Sequence, residues 1–327
     1  MVVKNGLLIT HSCLGCQLNI LSDVHLEVLD SFDWQLLVFL ERYPGRGRPF
    51  GYSVIAFLRA FLYMELSGIT SVRKLVRLLE RDKYKMKNLG FNRLPHHSLF
   101  SRYKDRFGEH IPRIMMIINT GIMREEPLHM SMLGIDSTKV EAFSLGDEDA
   151  DWGYDHIRKK FYYGYKVHLL YDLQSMTPIC YTVTRANRHD NTQTRPLIKR
   201  LGARLFKVNT ILADKAYDTK ENIENHGEVG VLFIAARNKR NTKKPVNKYR
   251  IQDYLELADE KIDQLYKNRM DCEHANFLLK EQLGLSDLKT TGREKVQVKV
   301  GITLIARLIQ ALHQLIHEKS PRTTIIN

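Results

Sequence analysis

Two short apolar runs in this chain each end on an aspartate, and this pairing limits the possible folds more than any other feature. Met132-Leu-Gly-Ile-Asp136-Ser-Thr and Val208-Asn-Thr-Ile-Leu-Ala-Asp214-Lys-Ala-Tyr both read as buried strands with an acid at the C-terminal end. In open α/β sheets ligands gather outside the carboxyl ends of the strands, so two such acids stand where chemistry collects. Taken singly, a strand-end aspartate is more often a turn former or helix cap.

A third acid changes the balance. Tyr266-Lys-Asn-Arg269-Met-Asp-Cys-Glu273-His-Ala-Asn-Phe-Leu-Leu-Lys280 has no Pro or Gly and is rich in Lys, Leu, Met and Glu, which predicts a helix. At roughly 100° per residue, Arg269, Glu273 and Lys280 fall within about 60° of Tyr266. One narrow face then carries a phenol, a guanidinium, a carboxylate and an ammonium, unlike a core-facing stripe. A solvated face with i,i+3 and i,i+4 ion pairs is the plainer reading. Two strand-borne carboxylates with a third on a helix would instead form an oxygen-only cage suited to Mg²⁺.

These residues carry a family resemblance. Tyr266-x2-Arg269-x3-Glu273-x6-Lys280 resembles the Y-R-E-K signature of bacterial and archaeal insertion-sequence transposases of the DDE type. Asp214-Lys-Ala216-Tyr217 is similar to that family's second-acid motif, and Asp136-Ser-Thr to its first. The likeness runs from about Gly47 to about Leu312. It implies that Asp136, Asp214 and Glu273 are catalytic and hold two Mg²⁺ ions, or Mn²⁺ in their place, roughly 4 Å apart. It implies that Tyr266, Arg269 and Lys280 contact the transposon-end strand. The partners it implies are double-stranded DNA, as element ends and as target, and a second copy of the chain in the DNA complex. Many relatives carry a β-rich insertion between the second Asp and the Glu. Here only 58 residues separate Asp214 from Glu273, too few for that, so the route of second-strand processing stays open.

Composition fits the same partner. The 327 residues suffice for two domains. Lys+Arg outnumber Asp+Glu by 50 − 37 = 13, and the pI is near 9.5, which points to a polyanion: nucleic acid first, an anionic membrane surface second. No charge-free run of about 18 apolar residues occurs, and the start lacks a signal-peptide pattern, so a cytoplasmic, nucleoid-associated prokaryotic protein is expected. Cys13 and Cys16 form a lone Cys-x2-Cys without a second pair, short of a four-ligand zinc site. Cys180 and Cys272 read as inert packing.

Along the chain, residues 1–20 read as a loose arm. Helical spacing predicts four helices, over about Asp23–Tyr43, Tyr52–Leu66, Ser71–Arg81 and Leu99–Phe107. The third and fourth carry basic faces (Arg73, Lys74, Arg77 and Arg81; Arg102, Lys104 and Arg106), which suits a helix-turn-helix-like DNA-binding region over residues 1–125. An ordinary solvated helical domain is the alternative. Residues 126–327 then read strand-strand-strand-helix-strand-helix-strand-helix. That is the order of an α/β RNase H-like domain with a mixed five-stranded sheet.

Within that order, Gly146–Asp155 reads as an acidic loop that could hold a cation but lacks EF-hand ligand spacing, so a solvated loop is favoured, and Asp190 reads as a helix cap or an aid to the site. Arg237–Arg250 has seven basic residues in fourteen, among them Lys239, Arg240, Lys243 and Lys244. It reads either as a solvated loop or as a phosphate-backbone contact. The final helix, about Lys295–Glu318, reads as a packing helix or a protein–protein face. The predicted function is a transposase that cuts element ends and joins their 3′ ends to target DNA. Its rivals are a metal-dependent nuclease on the same fold that cannot join, and a non-catalytic DNA-binding derivative.

Overall fold

A computed structural model of the chain describes residues 23–42, 45, 51–156, 158–202, 207–239 and 245–323. The expected N-terminal arm with Cys13 and Cys16, and Arg240, Lys243 and Lys244 of the basic run, lie outside the described residues.

The first part is all helix. Helix α1 (Val24–Asp30) starts from Asp23, whose carboxylate accepts the His25 and Leu26 N–H groups. The long first helix expected from the sequence is in fact two pieces. Asp33 accepts the Gln35 N–H at 3.0 Å, closing α1 off from a 3₁₀ segment, Trp34–Glu41. Helix α2 (Val54–Leu66) is capped by Ser53, and Glu41 reaches across to the Val54 and Ile55 N–H groups at 3.0 and 2.9 Å. Then follow α3 (Val72–Arg81), α4 (Lys83–Asn88), α5 (Leu99–Gly108) and α6 (Ile111–Glu125). Periodicity was silent on α4 because only Met86 of that helix is buried. Arg73, Lys74, Arg77 and Arg81 of α3 are all exposed, opposite buried Leu75 and Leu79.

The second part is a mixed sheet of six described strands: β1 (Met132–Glu141), β2 (Asp151–Asp155), β3 (Lys160–Asp172), β4 (Thr177–Arg185), β5 (Thr210–Ala213) and β6 (Leu232–Ala235). The order β3-β1-β5-β6 has β1 antiparallel to β3 and parallel to β5, with β5 parallel to β6. β4 and β2 share the outer side of β3. Helices α7 (Thr194–Lys199), α8 (Lys220–Gly227), α9 (Asp259–Lys267) and α10 (Met270–Phe277) follow the strands in turn. This is the RNase H-like fold.

β2 corrects the reading of 146–155 as a solvated loop. Trp152 and Tyr154 meet Tyr163 and Phe161 across the β2–β3 ladder, with ring centroids 5.4 and 5.1 Å apart. Asp147 is buried, accepting the Tyr165 hydroxyl at 2.7 Å and the Gly292 N–H at 3.1 Å.

Gly292 opens α11 (Arg293–Ile316), roughly 36 Å of helix that packs on α6, β4 and α2. Its middle is buried on every side, so it is a packing helix rather than a free face. Lys299 pairs with Glu65 of α2, and Arg307 is fully buried, donating to the Ser175 and Pro321 carbonyls. Buried apolar side chains from Leu26 to Leu312 form one continuous core. No described helix is long and apolar enough to cross a membrane.

Candidate catalytic centre

The parallel pairing of β1 and β5 sets the first two acids side by side. Ile135 pairs with Ala213, so Asp136 and Asp214 are the next residues on neighbouring strands. They differ in setting. Asp136 lies within β1, which runs on to Glu141, rather than at a strand end as expected. Asp214 does end its strand and opens the 3₁₀ turn Lys215–Tyr217, its carboxylate accepting the Lys215 N–H at 2.6 Å.

Asp136 is tightly held. Its Oδ1 accepts the Ser137 N–H at 2.9 Å, and its Oδ2 accepts the Asn276 amide at 2.9 Å; Asn276 in turn accepts the Tyr171 hydroxyl at 2.7 Å. Burial pushes the Asp136 carboxyl up to about 6, with Arg269 opposing and the Asp214 and Asp190 charges reinforcing the rise. The Tyr171–Asn276–Asp136 chain was not read from the sequence. The available signal was Asn276 itself, three residues past Glu273 and so on the same side of the helix.

The helix expected over Tyr266–Lys280 is broken. Between α9 and α10 the backbone tightens to i→i−3 bonds from Asn268 to Cys272, and a single π turn, Leu278–Gln282, follows α10. α10 sits close on β1 because Gly134 has no side chain: a Cβ there would run into Cys272 Sγ and come within 2.8 Å of Leu173 Cδ2. Cys272 is buried packing, as expected.

The break distributes the four face residues unequally. Tyr266 donates its hydroxyl to the Ala213 carbonyl at 3.1 Å, pinning the α9–α10 turn beside Asp214. Arg269 is largely covered and donates to Glu273 Oε1 at 2.9 Å. Burial works against its charge, but Glu273, Asp136 and Asp214 more than offset it. The Glu273 side chain is 65% exposed and faces Arg269 rather than the aspartates. Among the described residues no three acids, histidines or cysteines gather as a ligand set. Burial, with Arg158 and Lys139 nearby, lowers the Lys280 pKa, and Lys139 pairs with Asp155 at 2.9 Å.

The basic run is partly committed within the protein. Arg237 pairs with Asp253, Lys248 with Asp263 at 2.6 Å, and Arg250 with Asp218 at 2.5 Å. Lys239 is exposed. Asp190 makes no side-chain cap; it accepts Lys166 Nζ at 3.1 Å and lies 3.7 Å from buried His168.

Residues 129–309 match the transposase DDE domain family, and residues 19–106 match a second transposase domain, DUF772. A probable transposase for insertion sequence element ISH11 of Halobacterium salinarum is 26% identical over 311 residues, spanning 92% of this chain and 90% of that protein. The corresponding protein of a second strain matches to the same degree. Among solved structures, a piggyBac transposase synaptic complex with hairpin DNA aligns with a TM-score of 0.42 at 10% identity, over 91% of this chain and 74% of that one; a likeness this low adds nothing to the fold seen here.

Proposed function

The chain belongs to the transposase DDE domain family, and from that premise we propose that it binds the ends of its mobile element, cuts them by metal-dependent hydrolysis and joins the freed 3′ ends to target DNA. The observation that carries this reading is the placement of Asp136 and Asp214 on adjacent parallel strands, with Arg269 in the α9–α10 turn and Glu273 on α10. We assign end recognition to residues 1–125, with the exposed basic face of α3, and the chemistry to residues 126–327. Two ends need two such centres, which a homodimer on the DNA supplies.

The donor chemistry fits a hard divalent cation. Asp136, Asp214 and Glu273 offer only carboxylate oxygens, and the cost of burying the Asp136 charge is one a cation would relieve. When bound, a pair of Mg²⁺ or Mn²⁺ ions supplies activation of the attacking oxygen and charge neutralisation at the leaving 3′-oxygen.

The protein's own groups do the rest. Asn276 and the Ser137 N–H fix the orientation of the Asp136 carboxylate. Tyr266 holds the helix turn on the end of β5. Arg269 has a planar guanidinium suited to a bidentate phosphate, and a phosphate there competes with Glu273 for it. Arg269 engaged by DNA leaves Glu273 free to turn towards the two aspartates. Lys280 and Lys239, with Arg240, Lys243 and Lys244, add point charges for the backbone.

The test uses DNA from the edges of the element that carries the gene. A labelled, pre-cut terminal duplex is incubated with the full chain, Mg²⁺ and a supercoiled plasmid. Covalent insertion of the label into the plasmid is expected. No joining of the pre-cut end, with an uncut end cut in a parallel reaction, would contradict the transposase reading and leave a nuclease.

A further inference from the structure

We infer that a groove along the outer edge of β4 is a second cradle for phosphodiester backbone, separate from the carboxylate centre; the inference rests on the DNA-acting role proposed above. The groove encloses about 340 Å³ and is walled by Thr182, Thr184, Arg185, Arg188, Gln193 and Arg293, with no carboxylate in its lining. All three arginines are exposed. Arg185 donates to the Glu148 carbonyl at 3.2 Å and stands 3.9 Å from Asp149, whose other oxygen accepts the Arg293 N–H at 3.0 Å. The guanidinium groups of Arg188 and Arg293 have no ion-pair partner among the described residues. The Thr182 hydroxyl is buried and has no hydrogen-bond partner among the described residues. Guanidinium groups lining one groove with the Gln193 amide match the oxygens of a phosphodiester.

Position favours nucleic acid over an acidic peptide. β4 lies two strands from β1, so the groove is on the order of 10 Å from Asp136 across the sheet. At about 3.4 Å of rise per nucleotide that separation is roughly three nucleotides; Leu169 and Tyr181 between the two sites are buried, so a strand joining them does not lie over the face of the sheet. The groove is also braced to the centre. Its wall, Asp190–Gln193, packs on Lys215–Tyr217, the turn that Asp214 opens. Lys166 Nζ bonds both the Arg188 carbonyl, at 2.9 Å, and Asp190, at 3.1 Å.

The bound strand comes either from the element end or from the target, and one experiment separates the two. Binding of the full chain to a duplex from the element's edge, and to an unrelated duplex, is measured without divalent ions over a range of salt. Arg188→Ala with Arg293→Ala should reduce the slope of log K against log salt by about 1.8, two phosphate contacts' worth. A fall with the edge duplex means the groove holds the end strand; a fall with the unrelated duplex alone means it holds target. Arg188→Lys with Arg293→Lys should restore the slope. Arg188→Gln with Arg293→Gln repeats the test should the alanine pair lose its melting transition. Slopes that fall on neither duplex, or no more than with Lys319→Ala at the far end of α11, overturn the inference. Because binding is read without chemistry, a loss of slope in a protein that never joins DNA would sink the transposase reading alone.

Discussion

At the scale of single residues, the centre depends on close fits as much as on charges. Gly134→Ala would place a methyl group into Cys272 and Leu173, pushing α10 off β1 and straining the Asn276–Asp136 bond. A loss of roughly 1–3 kcal/mol in denaturant unfolding is expected, with cleavage falling further than stability explains. Cys272→Ala in the same chain should recover part of both. Arg269→Ala should reduce end cleavage far more than end binding, and Arg269→Lys should not restore it, because an ammonium cannot hold a phosphate through two parallel bonds. Equal losses of binding and cleavage would reduce Arg269 to a contributor of general affinity.

A buried acid away from the centre contributes to the acid limit of the fold. Asp172 accepts the Met130 N–H and both the N–H and hydroxyl of Ser175 at 2.7 Å, with His129 at 3.2 Å. Burial opposes its charge, yet the bonds from His129 and Ser175 hold its pKa below the ordinary 3.8. A depressed carboxyl stabilises the fold above its unfolded pKa and loses that contribution as pH falls through the folded value. Melting temperature should therefore drop steeply below about pH 4. Asp172→Asn should be less stable at neutral pH by at least about 2 kcal/mol and show a shallower acid limb. Parallel acid limbs in the two proteins would contradict this.

At the scale of elements, legibility followed burial. The apolar runs before Asp136 and Asp214 read correctly as strands because β1 and β5 are nearly fully buried where they pair. β2 was missed because Asp151 and Asp155 are poor strand formers, and its stability comes from rings on β3 that no local pattern reveals. The break between α9 and α10 was equally hidden. Lys267, Asn268 and Arg269 all tolerate a helix, and the tightening there accompanies the close seating of Cys272 against Gly134. With that break and the π turn, the run from Tyr266 to Lys280 is not the single straight helix that a helical projection assumes. α11 has its own close contact at Gly301, where a Cβ would strike the Tyr181 hydroxyl and lie 2.5 Å from Ile111 Cγ2. Gly301→Val should cost more than about 2 kcal/mol, read as a lowered melting temperature. An unchanged melting temperature would mean that α11 can shift without loss.

At the scale of the whole molecule, although the expected five-stranded sheet has six described strands, the succession of every strand but β2 and the net charge of +13 were open to reading because both follow from composition and period. The relation of Glu273 to the aspartates was not, since it depends on which way one exposed side chain turns. Here it turns to Arg269, and the central claim is that the same carboxylate joins Asp136 and Asp214 when DNA is cut. The most direct measurement compares Asp136→Asn, Asp214→Asn and Glu273→Gln with the parent chain on a labelled element end, with binding read on native gels and cleavage on denaturing gels. Mg²⁺ or Mn²⁺ should support cleavage by the parent. Ca²⁺, larger and more loosely coordinated, should permit binding and stall the cut. Each substitution should leave end binding intact and abolish cleavage with every ion. Normal cleavage by any one of the three, or full cleavage by the parent in a chelator, would contradict a three-carboxylate catalytic centre.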